Sequence, residues 1–282
     1  MKRPLDIAVI SDVHLGTYGC HATELLNYLK GIDPETLVIN GDFMDIWNFR
    51  KSYFPKEHIN VLRYVLKMAD KGTKIYYITG NHDDGLRRFS PFDSGNIHLR
   101  DKLVLQLNGK RYWFFHGDIF DTLIDYSPMI AKLGGKGYDF LIFFNRFVNK
   151  IRAKLGKPRM SFTQKIKNSV KEAGKFISDF EKTAIHLAAR EKYDYVVCGH
   201  IHKPQIKTEK VGEKSVIYMN SGDWVENLTS LEYVYGKWKI HTYDENDYVK
   251  MSPRLRVKEE EKSDMEVKSR AALFADIIGQ RQ

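Results

Sequence analysis

Cysteine is nearly absent: among 282 residues only Cys20 and Cys198 carry a thiol. Two cysteines give no disulfide framework, so a reducing compartment is the expectation, and Cys198 reads as a buried strand residue. No apolar stretch is long enough to span a bilayer. The opening MKRPLDIAVIS holds too short an apolar run for a secretory leader. A cytoplasmic location is therefore expected. The chain also lacks a GxSxG nucleophile elbow and a P-loop, which removes serine-hydrolase and P-loop nucleotide chemistry. It has no internal repeat, so nothing suggests a solenoid or propeller.

What is present suits a globular enzyme. With 43% hydrophobic and 13% aromatic residues, the chain can bury a sizeable core. Apolar runs rich in Val, Ile and Tyr alternate with helical stretches such as Glu57 to Lys71 and Asp179 to Lys192, the pattern of an α/β layered architecture. We expect one domain over 1–249, with an insertion at about 126–178, followed by a charged C-terminal tail over 250–282.

Five short motifs sit where predicted strands end: Asp12 to His14 (DVH), Gly41 onward (GDFMD), Gly80 onward (GNHDD), His116 onward (HGD) and Gly199 onward (GHIH). A single Asp or His at a strand end is usually a turn residue or a cap. Five in succession read as a two-metal site, built from carboxylate, imidazole and carboxamide donors that suit Mn, Fe or Zn. In extended chain, residues i and i+2 face one side, so Asp12 and His14, and again His200 and His202, are expected to converge. Gly41 and Gly80 are expected to supply positive φ and close backbone approach just before Asp42 and Asn81. Asp45, Asp83 and Asp118 are candidates to orient ligand imidazoles, although each also fits a loop acid or helix cap. Asp223 falls in a turn after SVIYM, and Trp224 reads as a packing residue.

The order DxH, GD, GNH, HGD, GHxH resembles the calcineurin-like metallophosphoesterases, from Asp12 to His202. The resemblance implies a two-sheet β-sandwich flanked by helices, with the metals at the carboxyl ends of strands. It further implies that Asp12, His14, Asp42 and His202 hold one divalent ion and that Asp42, Asn81, His116 and His200 hold a second. Asp42 would bridge the two. His82 would be the catalytic residue beside the scissile phosphate and would not ligate. Two such ions can activate a water as nucleophile and clamp the attacking and leaving oxygens.

Charge is unevenly placed. Between Tyr126 and Lys182 lie 13 Lys and Arg against 4 acids, so this stretch carries the whole net charge of +9. Within it, Tyr138 to Gly156 interleaves Phe140, Phe143, Phe144, Phe147, Val148 and Ile151 with Arg146, Lys150, Arg152 and Lys154 at near-helical spacing. Four readings stay open: a helix with a solvated basic face, peripheral contact with an anionic membrane, a clamp on an anionic lipid or nucleotide, and contact with nucleic acid phosphates. Bulky apolar residues suit acyl chains better than a polyanion groove, so a lid over an anionic amphiphilic nucleotide-lipid is favoured and nucleic acid is not expected.

That insert, with GDFMDIW (Gly41 to Trp47), resembles the UDP-2,3-diacylglucosamine hydrolases of lipid A synthesis. The resemblance implies cleavage of a pyrophosphate to UMP and lipid 1-phosphate with Mn, and the basic, apolar insert adds the expectation of a peripheral position on the inner face of the membrane. The chain departs from that branch at GNHDD, where the branch has GNRD, so the substrate-binding residues stay unassigned. The alternatives are a soluble nucleotide phosphodiesterase or phosphatase with the same metal site, and a metal-bearing scaffold or nucleic acid binder. The run Lys250 to Arg270 reads as solvated tail, and Ala271 to Gly279 as a short apolar segment able to dock.

Overall fold

The computed structural model describes residues 2–46, 53–122 and 171–249. The chain divides into two compact units, Met1–Tyr243 and Asp244–Gln282. The first unit contains two sheets. Strands β1 (Arg3–Ile10), β2 (Ile32–Asn40), β3 (Lys74–Ile78), β4 (Phe92–Ser94), β5 (Ile97–Arg100), β11 (Thr229–Val234) and β12 (Lys237–Thr242) form a seven-stranded sheet. Its order is β12-β11-β1-β2-β3-β5-β4. Strands β6 (Leu103–Leu107), β7 (Lys110–Phe114), β8 (Tyr195–Cys198), β9 (Gln205–Val211) and β10 (Lys214–Asn220) form a five-stranded sheet ordered β6-β7-β8-β10-β9.

The apolar runs explain the layering. Strand side chains alternate between faces, so Ile7 and Val9 of β1 point to one side. They meet Val38, Ile78, Leu231 and Tyr233 of the same sheet and Leu103, Tyr112, Phe114, Val197 and Met219 of the other, in one buried cluster. The space between the sheets is therefore the main core. Truncating a fully buried ring there, such as Phe114, costs about 3–5 kcal/mol.

Helices cover the outer faces. Helix α1 (Ala22–Gly31) packs against α2 (Lys56–Asp70), and both touch the seven-stranded sheet. In α2 the buried residues His58, Val61, Val65, Met68 and Ala69 follow helical spacing. Helix α3 (Lys171–Arg190) lays Phe180, Ala184, Ile185 and Ala188 over Val196, Cys198, Val216 and Tyr218 of the five-stranded sheet. Cys20 and Cys198 are both buried and free, as expected.

The expected helix Asp179 to Lys192 is real and begins earlier, at Lys171. The insertion at 126–178 lies outside the described residues up to 170, as does the tail from 250. The described part of the second unit is a short helix, α4 (Glu245–Val249). Strands β1, β2, β3 and β5 run parallel, and so do β7, β8 and β10. Parallel pairing puts their carboxyl ends, and the motifs that follow them, at one edge of each sheet.

Candidate metal centre

Buried backbone bonds lash the motif turns together. Gly41 O accepts from Asp12 N at 3.1 Å, and Asp42 O accepts from both Val13 N and His14 N at 2.9 Å. His116 O accepts from Gly199 N at 2.9 Å. Asn40, buried at the end of β2, donates from Nδ2 to Phe115 O (3.2 Å) and Val197 O (3.3 Å), tying the two sheets at the site. Sequence reasoning missed Asn40. The signal was a carboxamide closing an apolar strand, which must find partners when buried.

Asp12, His14 and His202 come together in one potential metal-holding group, and Asp42, His116 and His200 in another. The Asp42 Oδ2 oxygen lies 3.2 Å from His116 Nε2 and 3.9 Å from His14 Nε2, so it faces both groups. His202 Nε2 is 3.1 Å from Asp12 Oδ1. Asn81 follows Gly80, and its Oδ1 is buried without a hydrogen-bond partner. A carboxamide oxygen left so is costly in a protein interior, and a cation beside it removes the cost. The donor set, four imidazoles, two carboxylates and one carboxamide, fits Mn, Fe or Zn.

The convergence arises differently from the expectation. Asp12 and His14 do not lie in extended chain: β1 ends at Ile10, and their φ angles are 52° and 55°. Asp42, His200 and His202 are also left-handed, at 53°, 66° and 52°. Holding five non-glycine residues in that region is costly, about 1–3 kcal/mol each, and marks a site whose surroundings over-determine it. His200 and His202 do not converge on one point; they enter different groups.

The glycine expectation holds at Gly41, with φ at 86°. Gly80 is not in the left-handed region; its reason is steric, because an added Cβ would lie 2.2 Å from Asp42 Oδ1.

Of the three acids considered as partners of ligand imidazoles, only Asp45 touches one. Its Oδ2 lies 3.2 Å from His14 Nδ1, and its Oδ1 lies 3.0 Å from His82 Nδ1. Asp83 instead accepts from Gly80 N (2.6 Å), Phe43 N (3.0 Å) and the Tyr77 hydroxyl (2.6 Å), fixing the backbone of two motif turns. Asp118 pairs with Arg87 at 2.8 Å. His116 Nδ1 faces Asn40 O at 3.0 Å. Asp223 accepts from Val225 N and Glu226 N, and Trp224 is fully buried, its ring tilted against Tyr28 with centroids 5.2 Å apart.

Electrostatics follow from this crowding. Burial pushes the Asp12 carboxyl up, but His202 beside it outweighs burial and holds it at about 2. Burial likewise opposes ionisation of Asp42, and His116 overcomes it, leaving the carboxyl well below the usual range. Burial disfavours the charged His14 ring, yet Asp45 and Asp42 raise it to about 9. The carboxylates thus call for positive charge, which protons or a metal can supply.

Paired Asp/His donor groups sharing one carboxylate, at the strand ends of a two-sheet fold, define a metal-dependent hydrolase of phosphate esters. Residues 5–204 match the calcineurin-like phosphoesterase family model, and the chain belongs to that family. It is 26% identical over 245 residues to a UDP-2,3-diacylglucosamine hydrolase of Aliivibrio fischeri (strain MJ11), covering 84% of this chain and 98% of that protein. It is 29% identical over 214 residues to one from Wigglesworthia glossinidia brevipalpis, covering 70% and 79%. Among solved structures it is similar to Yfce, a phosphoesterase from E. coli, with 13% identity and a TM-score of 0.37 over 84% of this chain and 99% of that one. Among the described residues, no helix is long and apolar enough to cross a membrane.

Proposed function

We propose that this phosphoesterase hydrolyses the pyrophosphate of UDP-2,3-diacylglucosamine to UMP and lipid 1-phosphate with two manganese ions. The observation behind the dinuclear part is Asp42 Oδ2 facing both donor groups. The substrate part is supported by similarity to hydrolases of that name across 70–84% of this chain. Asp12, His14, Asp42 and His202 would hold one ion, and Asp42, Asn81, His116 and His200 the other. When bound, two such ions would supply an activated water as nucleophile and polarise the phosphate.

The chain's own residues do the rest. His14 Nδ1–H donates to Asp45, and His116 Nδ1–H donates to Asn40 O, which leaves each Nε2 lone pair free to ligate. The second Asp45 oxygen, 3.0 Å from His82 Nδ1, orients the ring so that Nε2 can serve the leaving phosphate oxygen as general acid. The His82 side chain is 25% exposed, open to substrate. The basic, apolar stretch at 126–178 would cover the acyl chains and meet the inner face of the membrane, as its composition suits both.

The test incubates manganese-loaded protein with UDP-2,3-diacylglucosamine in mild detergent and identifies products by mass spectrometry, with Asn81→Ala as control. The expected products are UMP and lipid 1-phosphate, from the wild type alone. No turnover alongside hydrolysis of bis-p-nitrophenyl phosphate would discard the lipid substrate and favour a soluble nucleotide.

A further inference from the structure

The turn between β10 and β11 grips the first donor group. It carries the motif NSGDW (Asn220 to Trp224), whose Asn, Ser and Asp side chains are all fully buried. Ser221 Oγ meets Ser11 Oγ at 2.7 Å, and Trp224 N donates to Asp12 O at 3.1 Å. A few residues on, Asn227 Nδ2 donates to His202 O at 2.8 Å. One turn thus holds the backbone at Asp12 and at His202, two donors that no local sequence connects.

The Asp223 side chain reaches the imidazole itself. Its Oδ1 accepts from Val225 N (2.8 Å), Glu226 N and Asn227 N (3.2 Å), as a turn acid does. Its Oδ2 accepts from Asn227 Nδ2 and stands 3.8 Å from His202 Nδ1. The other nitrogen of that ring, Nε2, lies 3.1 Å from Asp12 Oδ1. The His202 imidazole is therefore held between two fully buried carboxylates, one at each nitrogen. The turn needs only one oxygen, which asparagine would offer as well. A buried negative charge is costly unless something nearby answers it, so the second oxygen needs a reason of its own. His14 shows the same arrangement, with Asp45 at its Nδ1 and Asp42 on its Nε2 side.

We propose that Asp223 is a positioning residue for one metal ion: its carboxylate favours the His202 tautomer with the proton on Nδ1 and so aims Nε2, the nitrogen beside Asp12, at the ion. At 3.8 Å it acts by charge rather than through a hydrogen bond. Asn227 keeps the carboxylate in place, since its Nδ2 ties Asp223 Oδ2 to the His202 backbone. The inference rests on the dinuclear reading above and deepens it, by adding a residue that none of the five metal motifs contains and that serves one of the two ions.

The test is manganese binding to the full chain, followed by calorimetry and electron paramagnetic resonance, for the wild type, Asp223→Asn, Asn227→Ala and His202→Ala. The wild type is expected to hold two ions and to give the spectrum of a spin-coupled pair. Asp223→Asn keeps the Oδ1 bonds of the turn and presents an amide to His202, so one ion should bind about ten- to a hundred-fold more weakly while the other stays within a factor of about two. At manganese levels that fill only the stronger site, its spectrum should be that of an isolated ion, matching His202→Ala. Asn227→Ala keeps the carboxylate but frees its Oδ2; it should weaken the same ion by a smaller factor, and it carries the test where Asp223→Asn fails to fold. Two ions held at wild-type affinity by Asp223→Asn and Asn227→Ala overturn the proposal. So does an equal loss of both ions, which would make the turn merely structural. A wild type that holds a single ion overturns the dinuclear reading and this inference with it, an outcome told apart because it appears before any substitution is made.

Discussion

Replacing Asp45 by Asn should disable the site while leaving the fold intact. Asp45 is 2% exposed and, among the described residues, is the one acid whose two oxygens meet two imidazoles, His14 at 3.2 Å and His82 at 3.0 Å. Asparagine is nearly isosteric, but one end of its amide is a donor. It can accept from one Nδ1–H and must oppose the other. If it keeps His14, His82 loses its orientation; if it keeps His82, His14 is driven to the wrong tautomer for ligation. Each charge-assisted bond of this kind contributes about 1.5–3 kcal/mol, so losing one costs about ten- to a hundred-fold. The Asp45 charge also sustains the raised His14, and its removal weakens the remaining pair. We expect kcat/KM on bis-p-nitrophenyl phosphate to fall on the order of a hundred-fold, with metal affinity falling about ten-fold. The assay is a manganese titration of activity, with metal content measured by plasma mass spectrometry. Activity within three-fold of wild type at saturating metal would refute the reasoning.

Gly41→Ala should destabilise the protein by about 2–4 kcal/mol in denaturant melts, since a Cβ there meets His116 Nδ1 at 2.2 Å from a backbone at φ 86°. Asn40→Ala should lower Tm and also weaken manganese affinity, because it removes the two bonds that tie the sheets beneath the ligands. Glu232 predicts an acid-limb effect. Burial works against its charge, yet Arg3, bonded at 2.8 and 2.9 Å, lowers its pKa below the ordinary 4.5. A depressed carboxylate contributes stability above its unfolded pKa and loses it as pH falls through the folded value. Glu232→Gln should therefore cost about 1–2 kcal/mol at pH 7, with the difference from wild type closing below about pH 4 in urea melts.

Much of the site was legible because its donors are written in short motifs, each attached to an apolar run that could only be a strand. Six of the proposed donors lie in two groups, Asp12 with His14 and His202, and Asp42 with His116 and His200, while Asn81 is marked by its buried, unpartnered Oδ1. What the sequence could not show was how they are aimed. Period-two reasoning treats Asp12 and His14 as extended, whereas the chain has already left β1 and turned left-handed. That turn is fixed by bonds to Gly41 O and Asp42 O, in the turn after β2 some thirty residues away, and no local pattern encodes it. The same holds for Asp83, a candidate to orient a ligand imidazole, whose oxygens are taken by two backbone N–H groups and the Tyr77 hydroxyl. The hairpin at Tyr235 and Gly236 was readable from Gly between alternating strands, and both residues take positive φ there. The short strands β4 and β5 were not, since three exposed residues and four half-buried ones give no alternation.

The most direct test of the central claim is anomalous scattering from manganese-soaked crystals. Two peaks should flank Asp42 Oδ2, one among Asp12, His14 and His202 and the other among Asn81, His116 and His200. The His14, Asp45 and His82 group, which also has the spacing to hold an ion, should show none. A single peak, or density between Asp45 and His82, would contradict the account, because His82 would then be a ligand rather than the residue that meets the substrate.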